Sequence, residues 1–218
     1  MTPGRARAVH AVTALVATAA VVLQLVLVAQ GHRVLDETDP PDLSTRLVRF
    51  ASYLTIWSNV LAATTTALLA LDPDRDGRIF RTLRLNGLVF VALSGVVHFF
   101  LLRPLLELEG ADLLADRLLH VVVPLLTVVG WVVAGPRGRV RSGDLGAFLV
   151  LPVVWIGYTL VRGAIVDWYP YPFIDVIEHG YLVAALNSLG VAAVMLVLFG
   201  VALVVDGHCP PGRTRPYS

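Results

Sequence analysis

The chain reads as an all-α membrane protein, a bundle of six transmembrane helices with both termini in the cytoplasm. Three observations predict this. Hydrophobic residues make up 56% of the 218 and charged residues only 15%, with a mean hydropathy of +0.75, far from an ordinary soluble domain. The apolar residues gather into six blocks, 8–30, 50–71, 85–102, 118–134, 145–166 and 181–205, each near the roughly 17–25 residues that cross a bilayer as a helix. Charge then alternates between the connecting segments: with the amino terminus inside, the inner ones hold 11 arginines against five acidic residues and the outer ones six against 11. That is the bias of the positive-inside rule.

The first block follows Arg5 and Arg7. Its apolar run is longer than the roughly 7–15 residues of a signal-peptide core, so it reads as a retained first helix. The second lies between Arg49 and Asp72, 22 residues without a charge. Thr55 and Asn59 stand four apart near its outer end and therefore share a helical face. A polar stripe of this kind is either interhelical glue or part of a site. The loop before this block carries a Pro-Pro step and four acidic residues and belongs outside. The loop after it, DPDRDGRIFRTLR, copies the start of a calcium loop at Asp72, Asp74, Asp76 and Gly77. It places Leu83 where the bidentate Glu should stand, which favours an ordinary acidic-basic turn.

The third block ends in SGVVHFFLLRP, with Ser94 and His98 on one face and Arg103-Pro104 at the outer surface. An acidic, amphipathic segment placed along the outer interface then delivers Asp116 to the fourth block, RLLHVVVPLLTVVGW. There Pro124 lacks the amide hydrogen that the carbonyl of His120 would have accepted, so a kink is expected at the histidine. Asp116, four residues before His120, is placed to hold the imidazole in one tautomer. The fifth block ends near Arg162, which is able to snorkel to headgroups. The aromatic segment DWYPYPFIDVIEHGY after it reads as an interfacial belt of Trp168, Tyr169, Tyr171 and Phe173. The sixth block carries Asn187 and Ser188 and leads into a polar tail, 206–218. The whole chain, 1–218, forms one integral membrane domain.

Counted inward from Arg49 and Arg117, Thr55 and His120 lie about 9 and 4.5 Å deep at 1.5 Å per residue. His98 and the 167–179 loop fall at a similar level. Ionisable residues inside membrane spans are costly and mark function by default, although a neutral histidine bonded to a hydroxyl or carbonyl is the cheapest of them. A single cysteine, Cys209, excludes an internal disulfide and a cysteine metal cluster. No phosphate loop or nucleic-acid patch is present, and no cofactor or metal is expected.

Thr55 in YLTIWSN, His120 in HVVVPL and the segment WYPYPF together resemble the androgen-induced gene and androgen-dependent membrane protein family. Its characterised animal members are multi-span threonine hydrolases of fatty acid esters of hydroxy fatty acids. The resemblance runs from the second block to the loop before the sixth. It implies that Thr55 is a nucleophile and His120 its essential histidine, with a lipid or fatty acid ester as substrate. The residues after Thr55 depart from the family pattern, so fold and dyad carry over better than substrate. The residues themselves add Asp116 as the orienter of His120, Asn59 as a donor to the oxyanion and His98 as support. Two other readings stand beside this one: a haem held axially by His98 and His120 from different helices, and a non-enzymatic membrane protein whose polar residues only pack. The basic residues are all arginine, which suits a GC-rich genome and a bacterial plasma membrane.

Overall fold

The computed structural model describes residues 1–32 and 41–208. Most of the Pro-Pro loop and the tail from Cys209 onward lie outside the described residues. Among the described residues there are helices and turns and no strands. Six helical stretches are long and apolar enough to cross a membrane, in agreement with the fold class read from the sequence.

Helix α1, Pro3–Gln30, packs along α3, Leu54–Leu71. On the other side of α3 runs α4, Arg78–Val97, which continues through a π-turn, His98–Leu102, and a 3-10 turn, Arg103–Leu105. The fourth stretch consists of α5, Gly110–Arg117, a π-turn, Leu118–Val122, and α6, Val123–Ala134, and it closes this group against α1 and α4. Buried alanines of α1 and α3, Ala17, Ala20 and Ala62, let these helices approach closely and share a core with Val91, Leu119 and Val123. Helices α7, Leu145–Val166, and α8, Val176–His208, flank the other side of α4. Phe90, Phe148 and Phe199 join the three there. The outward faces of both, with Val153, Val161 and Ile165 on α7 and Leu182, Leu189 and Val197 on α8, are exposed and apolar, as a lipid-facing surface requires.

The structure corrects several boundaries. Block 50–71 is not one helix. A short amphipathic helix α2, Leu43–Ser52, capped by the Asp42 carboxylate on the Thr45 amide, ends at Tyr53, whose backbone is extended at φ −72°, ψ 128°. No glycine or proline marks this break; contacts from α7, the aromatic segment and α3 itself hold it. The acidic segment before block four does not lie apart as an interfacial piece, because α5 runs directly into the fourth span. Asp206, assigned to the tail, is still helical. It is buried, and its carboxylate accepts the Arg139 and Val140 amides at 2.6 and 2.8 Å. His10 on α1 reaches the Ala134 carbonyl at 3.3 Å, so the start of α1, the end of α6 and the end of α8 share one end of the bundle. In the second loop, Asp76 faces Arg81 and Arg139 at 3.1 and 3.7 Å, the acidic-basic turn expected.

Two glycines permit approaches that a side chain would block. A Cβ on Gly95 of α4 would stand 3.0 Å from the carbonyl oxygen of His120, the group that Pro124 leaves without a helical donor. The chain answers the missing bond with a π-turn rather than a simple kink, and π-turns of this kind recur at functional sites. A Cβ on Gly163 would lie 2.1 Å from the ring of Tyr169, which is buried against α7 and anchors the segment after it. Gly163→Ala should therefore expel the ring and cost about 1–3 kcal/mol by overpacking. Thermal unfolding in detergent should show a fall of several degrees in Tm.

Candidate active site

The break at Tyr53 makes Thr55 part of the first turn of α3. Backbone groups freed by the break are taken up by aromatic side chains: the Ser52 carbonyl accepts Trp155 Nε1 at 3.0 Å, and the Ala51 carbonyl accepts Trp57 Nε1 at 2.8 Å. The Thr55 amide donates to the Tyr171 hydroxyl at 3.3 Å.

Around the Thr55 hydroxyl stand three polar groups. His120 Nε2 lies 3.3 Å from Oγ1, Ser94 Oγ 3.0 Å and the Tyr171 hydroxyl 3.4 Å. The other ring nitrogen of His120, Nδ1, is 3.1 Å from Asp116 Oδ1, one turn earlier on the same face. Hydroxyl, imidazole and carboxylate thus form a connected chain, with Nδ1–H donating to the carboxylate and Nε2 turned to the hydroxyl. His98 completes the group: its ring is stacked on that of His120, centroids 3.9 Å apart and planes within 8°. Its Nε2 is also 3.1 Å from Asp116 Oδ1. His120 Nδ1 is shared between that carboxylate and the Asp116 carbonyl, also at 3.1 Å, whereas His98 Nε2 sits off line and makes no hydrogen bond, so His98 meets the group chiefly through its stacked ring. Asp116 and His98 are both buried.

Four of the five residues singled out in the sequence, Thr55, His98, Asp116 and His120, are therefore brought together. Asn59 is not. Its amide donates to the Thr55 carbonyl at 2.8 Å and the Leu119 carbonyl at 3.4 Å and it lines neither cavity at Thr55, so the expected oxyanion donor is instead the glue between α3 and the fourth span. Asn59→Ala should cost about 0.6 kcal/mol and at most about 1.7 kcal/mol, the average and the maximum for interhelical hydrogen bonds in a membrane bundle. A lowered Tm in detergent would show it.

Tyr171 and Ser94 are site residues that sequence reasoning did not assign. The serine was visible only as a partner of His98 at helical spacing. The aromatic pattern predicts an interfacial belt for Tyr171, yet both it and Tyr169 are buried. The signal lay in its bracketing by Pro170 and Pro172, which hold the backbone extended. Trp168 matches the belt better, carrying Arg49 and Arg162 over its ring at 4.9 and 5.1 Å. Asn187 secures the segment to α8 through the Phe173 carbonyl at 2.8 Å.

His98, Asp116 and His120 also present one ligand atom each within 4.8 Å of one another. A tetrahedral ion needs lone pairs converging on one point about 2.0–2.1 Å from each nitrogen. In-plane lone pairs of two rings stacked within 8° lie in nearly parallel planes and do not converge. The same contact does not fit an axial haem pair, since rings touching face to face leave no slot for a macrocycle between them.

Two cavities meet at Thr55. A large one of about 600 Å³ runs between α4, α7 and α8, walled by apolar groups such as Leu93, Ile156, Ala184 and Met195. Val153, Tyr181 and Leu189, which line it, are also exposed on the surface of the bundle. The other, about 90 Å³, holds the polar groups Gln24, Asp112, Asp116, His98 and His120. Beside it His32 Nδ1 meets Asp112 Oδ2 at 2.7 Å, tying the end of α1 to α5. Thr55 and Tyr171 line both cavities.

No protein-family model matches the chain, and neither a curated protein nor a solved structure matches it. What the fold and site define is a six-helix membrane bundle in which a half-buried histidine joins a buried threonine to a buried aspartate.

Proposed function

We propose that the protein is an intramembrane hydrolase of lipid esters, with Thr55 as nucleophile, His120 as general base and Asp116 as its orienter. The observation that carries this is the hydrogen-bonded chain from Thr55 Oγ1 through His120 to Asp116, set where a large apolar cavity meets a small one that contains the histidines and carboxylates. A threonine hydroxyl becomes an effective nucleophile when an adjacent base takes its proton, and a third group that orients the base completes the arrangement. The resemblance of YLTIWSN, HVVVPL and WYPYPF to the androgen-induced gene and androgen-dependent hydrolases points the same way.

The cavities suggest how a substrate lies. At roughly 30 Å³ for each water-sized group, the large cavity has room for about 20 such groups, enough for one long acyl chain arriving sideways from the lipid. The ester carbonyl then rests at Thr55 and the alcohol portion in the small cavity, beside His120. His120 Nε2 takes the threonine proton as Oγ attacks, and returns it to the departing alcohol. Water repeats the sequence on the acyl-enzyme and releases the acid. The charge bias of the loops supports a site in the outer leaflet with both termini cytoplasmic, and the arginine-only basic set supports a bacterial plasma membrane.

A fluorophosphonate carrying an alkyl chain tests the reading. It should label the wild-type protein in detergent, with labelling lost in folded Thr55→Ala and His120→Ala. Absence of labelling of folded wild-type protein would count for the non-enzymatic alternative. Asp116→Asn keeps the size but not the charge of the orienter and should lower the rate of ester turnover at least about 100-fold, while the wild-type rate in that variant would remove Asp116 from the mechanism.

A further inference from the structure

We infer that Tyr171 is a further catalytic residue, the hydrogen-bond donor that holds the negative oxygen of the tetrahedral intermediate formed on Thr55. The inference rests on the hydrolase reading above and adds the group which that reading lacks, since the amide of Asn59 is committed elsewhere.

The phenol is held rigidly. Phe173 stacks on it with centroids 5.3 Å apart and planes within 10°, Tyr53 meets it edge-on at 5.6 Å, and Trp155 closes a third side at 6.0 Å. Preorganisation of this kind is what a donor to a developing charge requires, because nothing then has to move as the charge appears.

Its hydrogen bonding is directional. The phenolic oxygen accepts the Thr55 amide at 3.3 Å, so a lone pair is engaged on the side of the α3 backbone. A phenol has a single proton to donate, and the acceptor within its reach is Thr55 Oγ1, at 3.4 Å. When Oγ1 bonds to the ester carbon, the former carbonyl oxygen stands one carbon beyond it. A donor lying 3.4 Å from the nucleophile is placed to approach that oxygen at the roughly 2.7–3.1 Å an oxyanion donor needs. The first turn of α3 adds the positive end of its dipole at the same point.

Electrons and protons balance through these groups. As the Oγ1–carbon bond forms, the Thr55 proton passes to His120 Nε2 and the carbonyl π-electrons move onto oxygen, which accepts the Tyr171 O–H hydrogen bond without removing its proton. When the carbon–oxygen bond to the alcohol breaks, the electrons return to re-form the carbonyl and His120 delivers its proton to the alcohol. Ser94, the other hydroxyl at the nucleophile, lines the large cavity alone; Tyr171 lines both and so stands where the carbonyl must sit.

The test measures turnover of p-nitrophenyl decanoate in detergent by the wild-type protein, by Tyr171→Phe and by protein carrying 3-fluorotyrosine at position 171. Loss of one oxyanion donor should lower kcat about 10²–10³-fold with KM changed less than about threefold, since the ring and its stacking remain. Fluorination strengthens the phenol as a donor and weakens it as an acceptor, so kcat should hold or rise. A Tyr171→Phe kcat within about threefold of wild type overturns the inference. A fluorinated protein whose kcat falls toward that of Tyr171→Phe also overturns it, leaving the oxygen as a cap on α3. Wild-type protein that does not turn the ester over overturns the hydrolase reading itself, a result distinct from either.

Discussion

Tyr53 interrupts a helical path inside an apolar bundle, and non-helical backbone survives at membrane depth only where protein groups take its hydrogen bonds. In a continuous helix the Thr55 amide would bond the Ala51 carbonyl, four residues back. Instead that carbonyl accepts the indole of Trp57, the Ser52 carbonyl accepts the indole of Trp155, and the Thr55 amide goes to Tyr171. The break is held by groups from three places: Trp155 of α7 on the end of α2, Tyr171 of the following segment on the start of α3, and Trp57 of α3 itself. Its consequence is that a threonine that would have been mid-helix becomes a first-turn residue, with its hydroxyl freed toward the fourth span and the helix dipole behind it.

Asp116 imposes the second constraint. A carboxylate buried among apolar helices is costly unless donors surround it, and this one has His120 in a hydrogen bond and His98 close by. Both histidines lie in π-turns, one closing α4 and one opening α6. The glycine at position 95 lets those two turns approach until the rings stack. The stack fixes the plane of His120, the aspartate fixes its tautomer, and the nitrogen left over faces Thr55.

How much of this was legible in the sequence follows from which signals are local. The spans could be read because apolar runs are properties of contiguous residues, and α7 was bounded correctly at both ends. Asp116 and His120 could be paired because four residues make one helical turn, and Pro124 marked the irregularity at His120. The break at Tyr53 could not, since FASYLTIW contains no residue that ends a helix by itself; two of the groups that hold it, Trp155 and Tyr171, lie about a hundred residues away. Asn59 was misjudged for a related reason. Spacing placed it one turn from Thr55 but did not say that its amide would find the Thr55 and Leu119 carbonyls first. Tyr171 carried an aromatic signature that is the same for a belt at the interface and for a phenol buried at a site.

Thr55 sits at a boundary between two environments, and in the proposed reaction that boundary does more than bind. The large cavity offers an acyl chain mostly apolar walls, and at its inner end the hydroxyls of Ser94 and Tyr171 gather within 3.4 Å of Thr55 Oγ1, so an ester finds its cluster of polar partners there. The orientation is thereby forced: the alcohol portion lies on the side of His120. One imidazole can then serve both halves of the reaction, because the group it protonates and the water it later deprotonates occupy the same small cavity beside His120 in succession. Water is admitted to the acyl-enzyme when the alcohol leaves, while the bilayer side of the site stays apolar throughout.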